Sequence, residues 1–289
     1  MHPTCLLAAT RRRILLIAGA TVLALTGLAG QAQAWPSKPI RLVVGFPPGG
    51  GIDAVARNLQ PGLQDVLGQQ VIVDNRSGAG GTVGAGLASR AAPDGYTLFM
   101  GAVHHAIAPS MYPKLDYNIE TDFVPIGLVS SVPQVIVVNP QRMPQADFKA
   151  SLAAVRSNPG KYNYASAGNG TSHHLAGELF KLQSQTFITH IPYRGAGPAL
   201  QDLIAGQVDM MFDGLGSSAA HIKGGRIKAL AVASDKRSPS FPDVPTAAEM
   251  GLPQGLFGSD GGVWRNHRRL VMASFAPGHV GAPFLSLGK

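Results

Sequence analysis

The sequence predicts an α/β protein made of two successive units of mostly parallel sheet flanked by helices. Three observations predict it. Short β-rich runs alternate with helical stretches through most of the chain. The order strand end, small-residue loop, helix start occurs in both halves, at 46–53 and at 164–173. After residue 34 there is no second apolar run long enough to cross a bilayer, so the alternation is expected to belong to a soluble body.

Residues 40–46 read as a buried strand. Residues 53–67 read as a helix with Val55, Ala56, Leu59, Leu63 and Val66 on one face, kinked at Pro61. A strand at 70–74 and a Gly/Ala-rich helix within 78–90 follow. Pro93-Asp94-Gly95 is a turn, with Pro presetting φ and Gly accepting the exit geometry, before a strand at 96–100. The β-rich run 123–139, broken by Ser130-Ser131-Val132-Pro133, predicts two strands, the first crossing between units. Helices at 147–156, 172–185 and 197–205 then alternate with strands at 162–166, 187–191, 208–212 and 227–233. Pro198 opens the third of these helices and Gly206 follows its end. Four prolines within 234–253 mark a return linker.

The N-terminus has the order of a signal peptide: Arg11, Arg12 and Arg13, an uncharged apolar stretch over 14–30, and Ala32-Gln33-Ala34 as a cleavage site. Cleavage before Trp35 leaves 255 residues, enough for one large or two medium domains. The single cysteine, Cys5, precedes the apolar run, so the exported chain has no disulfide to form. The net charge of +8 comes largely from the two ends of the chain. Residues 35–254 hold 17 basic and 15 acidic side chains, without the basic patch a nucleic-acid partner requires.

Two loops are candidate sites. Phe46-Pro47-Pro48-Gly49-Gly50-Gly51-Ile52-Asp53 can turn backbone N–H groups inward beside a helix N-terminus, an anion site that needs no basic side chain. A tight turn with Asp53 as N-cap fits the same spacing equally well. The second loop, Tyr164 through His173, adds the short donors Ser166, Asn169, Thr171, Ser172 and His173, with Thr171 or Ser172 as a plain helix cap being the alternative. Two such loops place two helix N-termini against one ligand in a cleft.

Enzyme templates fail. Val83 stands where a dinucleotide fingerprint needs Gly, no phosphate-binding P-loop is present, and Gly216-Ser217-Ser218 lacks the spacing of a nucleophile elbow. His104-His105 and His173-His174 are adjacent pairs whose side chains diverge, unlike metal ligands, so neither metal nor cofactor is expected. Asp209 and Asp213 read as strand-end polar residues in preference to paired carboxylates.

Several ordered motifs resemble the Bug-type substrate-binding proteins of tripartite tricarboxylate transporters. They are Pro39-Ile40-Arg41 through Asp53, Asn75 through Gly81, Ala92 through Leu98, Tyr164 through Thr171, His190 through Gly195, Gly206 through Asp213 and Phe241 through Thr246. The resemblance covers about 36–253. It implies a two-lobed type II periplasmic-binding-protein fold closing on a hinge, with a ligand cleft between the lobes. The implied ligand is a di- or tricarboxylate, an acidic amino acid or an aromatic acid. It implies ligand contacts from Phe46, Pro48, Gly49, Gly50 and Asp53 on one side. Ser166, Ala167, Gly168, Asn169, Thr171 and His173 face them, with Tyr193, Arg194 and Asp213 near the cleft. Arg194 is the one matched position with a fixed positive charge. The expected protein is a periplasmic monomer, not an enzyme, that hands its ligand transiently to membrane transporter subunits.

Domain expectations follow: signal peptide 1–34, first part of lobe 1 at 35–132, lobe 2 at 133–233, return linker 234–253, and a divergent tail 254–289. The tail, with Trp264-Arg265-Asn266-His267-Arg268-Arg269, departs from the family pattern and reads as a shifted frame with an early stop, leaving lobe 1 incomplete. Two other outputs suit parts of the sequence: a sensor subunit presenting ligand to a membrane kinase, and a periplasmic hydrolase using Ser166 and His173.

Overall fold

A computed structural model describes residues 35–252. The expectations for the signal peptide 1–34 and for the tail 254–289 lie outside the described residues. Among the described residues, those from Lys38 on belong to one compact unit.

The first sheet is built from β1 (Ile40–Val44), β2 (Val71–Asn75) and β3 (Thr97–Met100), in the order β2-β1-β3, all parallel. Helix α1 (Gly51–Leu67) links β1 to β2. A 3₁₀ turn (Ala79–Gly81) and α2 (Thr82–Ser89) link β2 to β3, and α3 (Val103–Met111) follows β3. Central β1 is apolar at almost every position because both of its faces are covered, as parallel sheets require. Pro61 lies inside α1 without ending it.

The second sheet has the order β6-β5-β7-β4-β8. Its strands are β4 (Gln134–Val138), β5 (Asn163–Ser166), β6 (Thr189–Pro192), β7 (Met210–Gly214) and β8 (Lys228–Ala233). The helices between them are α4 (Phe148–Ser157), α5 (Ser172–Ser184), α6 (Ala196–Ile204) and α7 (Leu215–Lys223). β5 pairs in parallel with β6 and β7, whereas β4 runs antiparallel to both β7 and β8. The mostly parallel two-sheet architecture therefore matches expectation, with β4 inserted against the common direction.

One apolar cluster joins Ile40, Leu42 and Val44 of the first sheet and Phe46 just after it to Val135 and Val137 of the second sheet and to Leu200 and Leu203 of α6. Another, with Tyr164, Phe180, Ile188 and Met210, fills the other face of the second sheet. Fully buried Leu203 is a core position at which truncation to Ala costs about 2–5 kcal/mol.

Three differences from expectation have physical reasons. Helix α1 starts at Gly51, not at Asp53, because the Asp53 carboxylate reaches back from inside the first turn to the Gly49 N–H at 3.0 Å. Residues 123–133 have no strand partner among the described residues, so only the second of the two strands expected there forms. Residues 234–252 do more than link: Val232 N–H donates to Pro245 O at 2.9 Å, Ala247 N–H donates to Val232 O at 2.8 Å, and Phe241 is buried.

Candidate functional site

Each small-residue loop packs against the other half of the chain: 46–51 meets the 193–197 turn, and 168–170 meets Gly80 and Tyr112. A Cβ built on Gly195, just before α6, would lie 2.5 Å from the Pro47 ring. One on Gly197 would lie 3.1 Å from Pro48 O, and one on Gly50 3.7 Å from the Ala196 Cβ. Tyr112 donates its hydroxyl to Asn169 O at 2.9 Å, and a Cβ on Gly80 would lie 2.9 Å from that same oxygen. Gly195 has φ +136 and Gly80 φ +63, so glycine is required there by both conformation and space. These contacts bring the ends of β1, α3 and the 3₁₀ turn against the ends of β5 and β6.

The first loop is braced from behind. Asp53 is 3% exposed, and its carboxylate accepts from Gly49 N–H, from Arg57 Nε at 2.9 Å and from Asn75 Nδ2 at 2.9 Å. Burial pushes this carboxyl up, but the bonds from Arg57, Gly49 and Asn75 outweigh it and hold it below the usual range. The carboxylate is thus occupied in shaping the loop. The first-turn N–H groups of α1, from Gly51 on, have no intrahelical partner, and Gly50 and Gly51 lie beside Ala196 and Ser217. Phe46 is buried edge-on against His104, with ring centroids 4.6 Å apart.

In the second loop Ser166 is fully buried. Its hydroxyl accepts from Gly168 N–H at 3.1 Å and pairs with His190 Nε2 at 2.7 Å. The Ser166 and His173 pair of the hydrolase alternative is therefore not the pair that forms. His190 is stacked between Tyr164 and His174, and burial, reinforced by His174, pushes it down to about 4. Thr171 is the N-cap of α5: its hydroxyl donates to Gly168 O at 2.6 Å and accepts from His174 N–H. Ala167 and Gly168 are buried, and Asn169 is exposed.

Tyr193 turns its hydroxyl to Asp202 at 2.7 Å, away from the ligand loops; burial and this bond push it up to about 12. Arg194 is exposed and has no ion pair among the described residues. Asp213 is fully buried at the end of β7, where one oxygen accepts from Ser217 at 2.7 Å and Ser218 at 2.6 Å. His173 Nε2 lies 3.8 Å from its other oxygen. Asp209 binds Arg142 and Asn163 N–H instead of pairing with Asp213.

Sequence inspection missed His104, Tyr112 and the Ser217/Ser218 pair. His104 had been weighed only as half of a metal-binding pair. No group of three or more His, Cys, Asp or Glu placed to hold a metal occurs among the described residues. No described helix is long and apolar enough to cross a membrane.

A fold of two α/β lobes whose glycine-shaped loops meet defines a solute-binding protein. Residues 55–259 match the tripartite tricarboxylate transporter family receptor, and the chain belongs to that family. Protein BugT of Bordetella pertussis is 39% identical over 84% of this chain and 75% of its own length. Among solved structures, periplasmic binding protein BugD is 38% identical with a TM-score of 0.74, over 78% of this chain and 74% of that one. The R. palustris protein Rpa4515, solved with adipate, is 31% identical with a TM-score of 0.74, over 83% of each chain. MatC from Rhodopseudomonas palustris, solved with bound malate, is 35% identical with a TM-score of 0.71, over 78% of this chain and 76% of that one. The chain is thus a Bug-type receptor of the tripartite tricarboxylate transporter family.

Proposed function

We propose that this protein is exported, captures a small carboxylate between its two lobes and presents it to the membrane subunits of a tripartite tricarboxylate-type transporter. The observation that carries this is the meeting of the 46–51 loop with the 193–197 turn, together with the packing of the 168–170 loop on Tyr112 and Gly80. Helix N-termini from α1 and α5 flank that meeting and favour an anion. Two relatives hold adipate and malate, both dicarboxylates, which supports the same ligand chemistry here. Phe46, Pro48, Gly49 and Gly50 shape one wall with Asp53 as its brace; Ser166 through Thr171, His173, Arg194 and Asp213 form the other. Tyr193 holds the turn that carries Arg194. The lobes divide near residue 132, and the leader is removed before Trp35.

A thermal-shift series against small carboxylates tests binding. At a ligand concentration about a hundredfold above Kd, binding stabilises by about 2.7 kcal/mol, a melting rise of roughly 5–10 °C for a chain of this size. No shift with any di-, tri- or monocarboxylate would refute carboxylate capture. Intact mass of the periplasmic protein should correspond to a chain beginning at Trp35.

A further inference from the structure

Gly170, in the second loop, is buried, and its N–H donates to His174 Nδ1 at 3.3 Å. The residue has φ +73 and packs on the first half of the chain, where a Cβ would lie 3.2 Å from the Met111 side chain and 3.4 Å from the Tyr112 ring. Beside it, Asn169 O accepts from Tyr112. His174 stands in the first turn of α5, and its own N–H donates to Thr171 Oγ1 at 3.4 Å. Its ring is half-buried and stacks on His190 with centroids 4.2 Å apart, and His190 stacks in turn on Tyr164. His174 therefore supports the segment of the second loop that reaches across to Met111 and Tyr112.

A backbone N–H can only donate, so the Gly170 bond fixes the His174 tautomer: Nδ1 carries the lone pair and Nε2 the proton. A second proton can enter only at Nδ1. The Gly170 N–H would then face another N–H, and a buried donor without an acceptor is costly, so the loop gives way. His190 is different. Its Nε2 lies 2.7 Å from the Ser166 hydroxyl, which can donate or accept, so that contact survives in either protonation state. Resting on the receptor function proposed above, we propose that neutral His174 is a positioning residue that holds the 168–170 loop against Met111 and Tyr112, so that acidification releases the loop and weakens ligand binding.

Groups on each element packed against the ring favour the neutral form. Burial pushes His174 down, opposed by Glu178 and reinforced by Lys181, both on α5. Glu178 is already matched: it accepts from Lys181 Nζ at 2.8 Å and from Tyr164 Oη of β5 at 2.6 Å. On β6, His190 is pushed down to about 4, by burial first and then by His174, and two stacked cations would repel. In the free protein His174 thus takes its proton below the usual value of about 6.5. Ligand, which needs the loop held, moves that point lower still. Affinity is then flat above this range. It falls by up to about tenfold per pH unit as pH drops through the window between the two values, because the free protein binds more protons there.

Calorimetry from about pH 7.5 down to about pH 4.5 tests this with whichever of malate, adipate, citrate and benzoate binds the wild-type chain most tightly. His174→Phe keeps a ring to stack on His190 but has no acceptor, and should bind at least about fivefold more weakly at the upper pH. His174→Asn places an oxygen that does not titrate where Nδ1 stood, and should restore binding to within about threefold of wild type. Ionisation of the acid itself affects every chain alike, so the comparison isolates His174. At the lower pH the wild type should have lost at least about threefold more affinity than His174→Asn. In NMR spectra of the ligand-free wild type, the Gly170 amide resonance should follow the titration of the His174 ring, and in His174→Asn it should not move. Equal pH profiles for the two chains, wild-type affinity in His174→Phe, or a Gly170 amide that ignores His174 would overturn the inference and leave the receptor function standing. Failure of all four acids to bind would overturn both.

Discussion

Arg194 and Asp53 are both charged residues of the segments proposed to hold the ligand, but their surroundings give them opposite roles. Arg194 is exposed with no ion pair among the described residues, so its charge contributes little to the fold. Replacing it with Met keeps most of the stem and removes the charge. Carboxylate affinity should fall at least about tenfold, or about 1.4 kcal/mol, with the melting temperature nearly unchanged. A large melting drop with intact affinity would make Arg194 structural. Asp53 is buried among three donors, so Asp53→Asn should cost about 2 kcal/mol in urea unfolding, because an amide nitrogen then faces groups that can only donate. Its folded pKa lies below the usual value, so its contribution is present above the unfolded pKa and is lost as pH falls through the folded one. Acid titration of the wild-type and Asp53→Asn proteins should converge at low pH.

At the scale of the element, the first loop offers Gly50 among its implied ligand contacts. Gly50 has an ordinary extended backbone, and a Cβ there makes a normal 3.7 Å contact with Ala196. The tight position is Gly195, where a Cβ would overlap the Pro47 ring. Gly195→Val should weaken ligand binding at least about tenfold and more than Gly50→Ala, because it holds the two loops apart. Calorimetry on the two variants compares them directly, and equal losses would contradict the steric ranking. Most elements were legible in the sequence because they alternate cleanly. Two were not. Helix α3 is nine residues long with Pro109 inside it, too short and broken to show a period. Helix α7 begins directly at the end of β7 with Leu215-Gly216-Ser217-Ser218, so no loop announces it. These two missed helices carry His104 and the Ser217/Ser218 pair, which is why that part of the site went unseen.

At the scale of the whole molecule, the alternation of residues 124–128 reads as a strand, yet a strand needs a neighbour to pair with. Among the described residues it has none, and Val124, Ile126 and Leu128 are 89%, 84% and 88% exposed. An extended apolar segment of this kind promotes association. Replacing Ile126 and Leu128 with Lys should lower light scattering during warming; unchanged scattering would mean that the segment does not drive association. The two small-residue loops themselves were legible because glycine, proline and short polar residues mark them locally. The approach of His173 to Asp213 was not, because it arises only when α5 and β7 are brought together.

The central claim is that this chain binds a carboxylate reversibly and leaves it unchanged. Titration calorimetry of the purified protein with a panel of small mono-, di- and tricarboxylates, followed by mass spectrometry of the ligand recovered after unfolding, tests it most directly. The account predicts saturable binding of at least one of them with one ligand per chain, and recovery of the same acid intact. Absence of binding by every acid of the panel, or recovery of a chemically altered product, would contradict it.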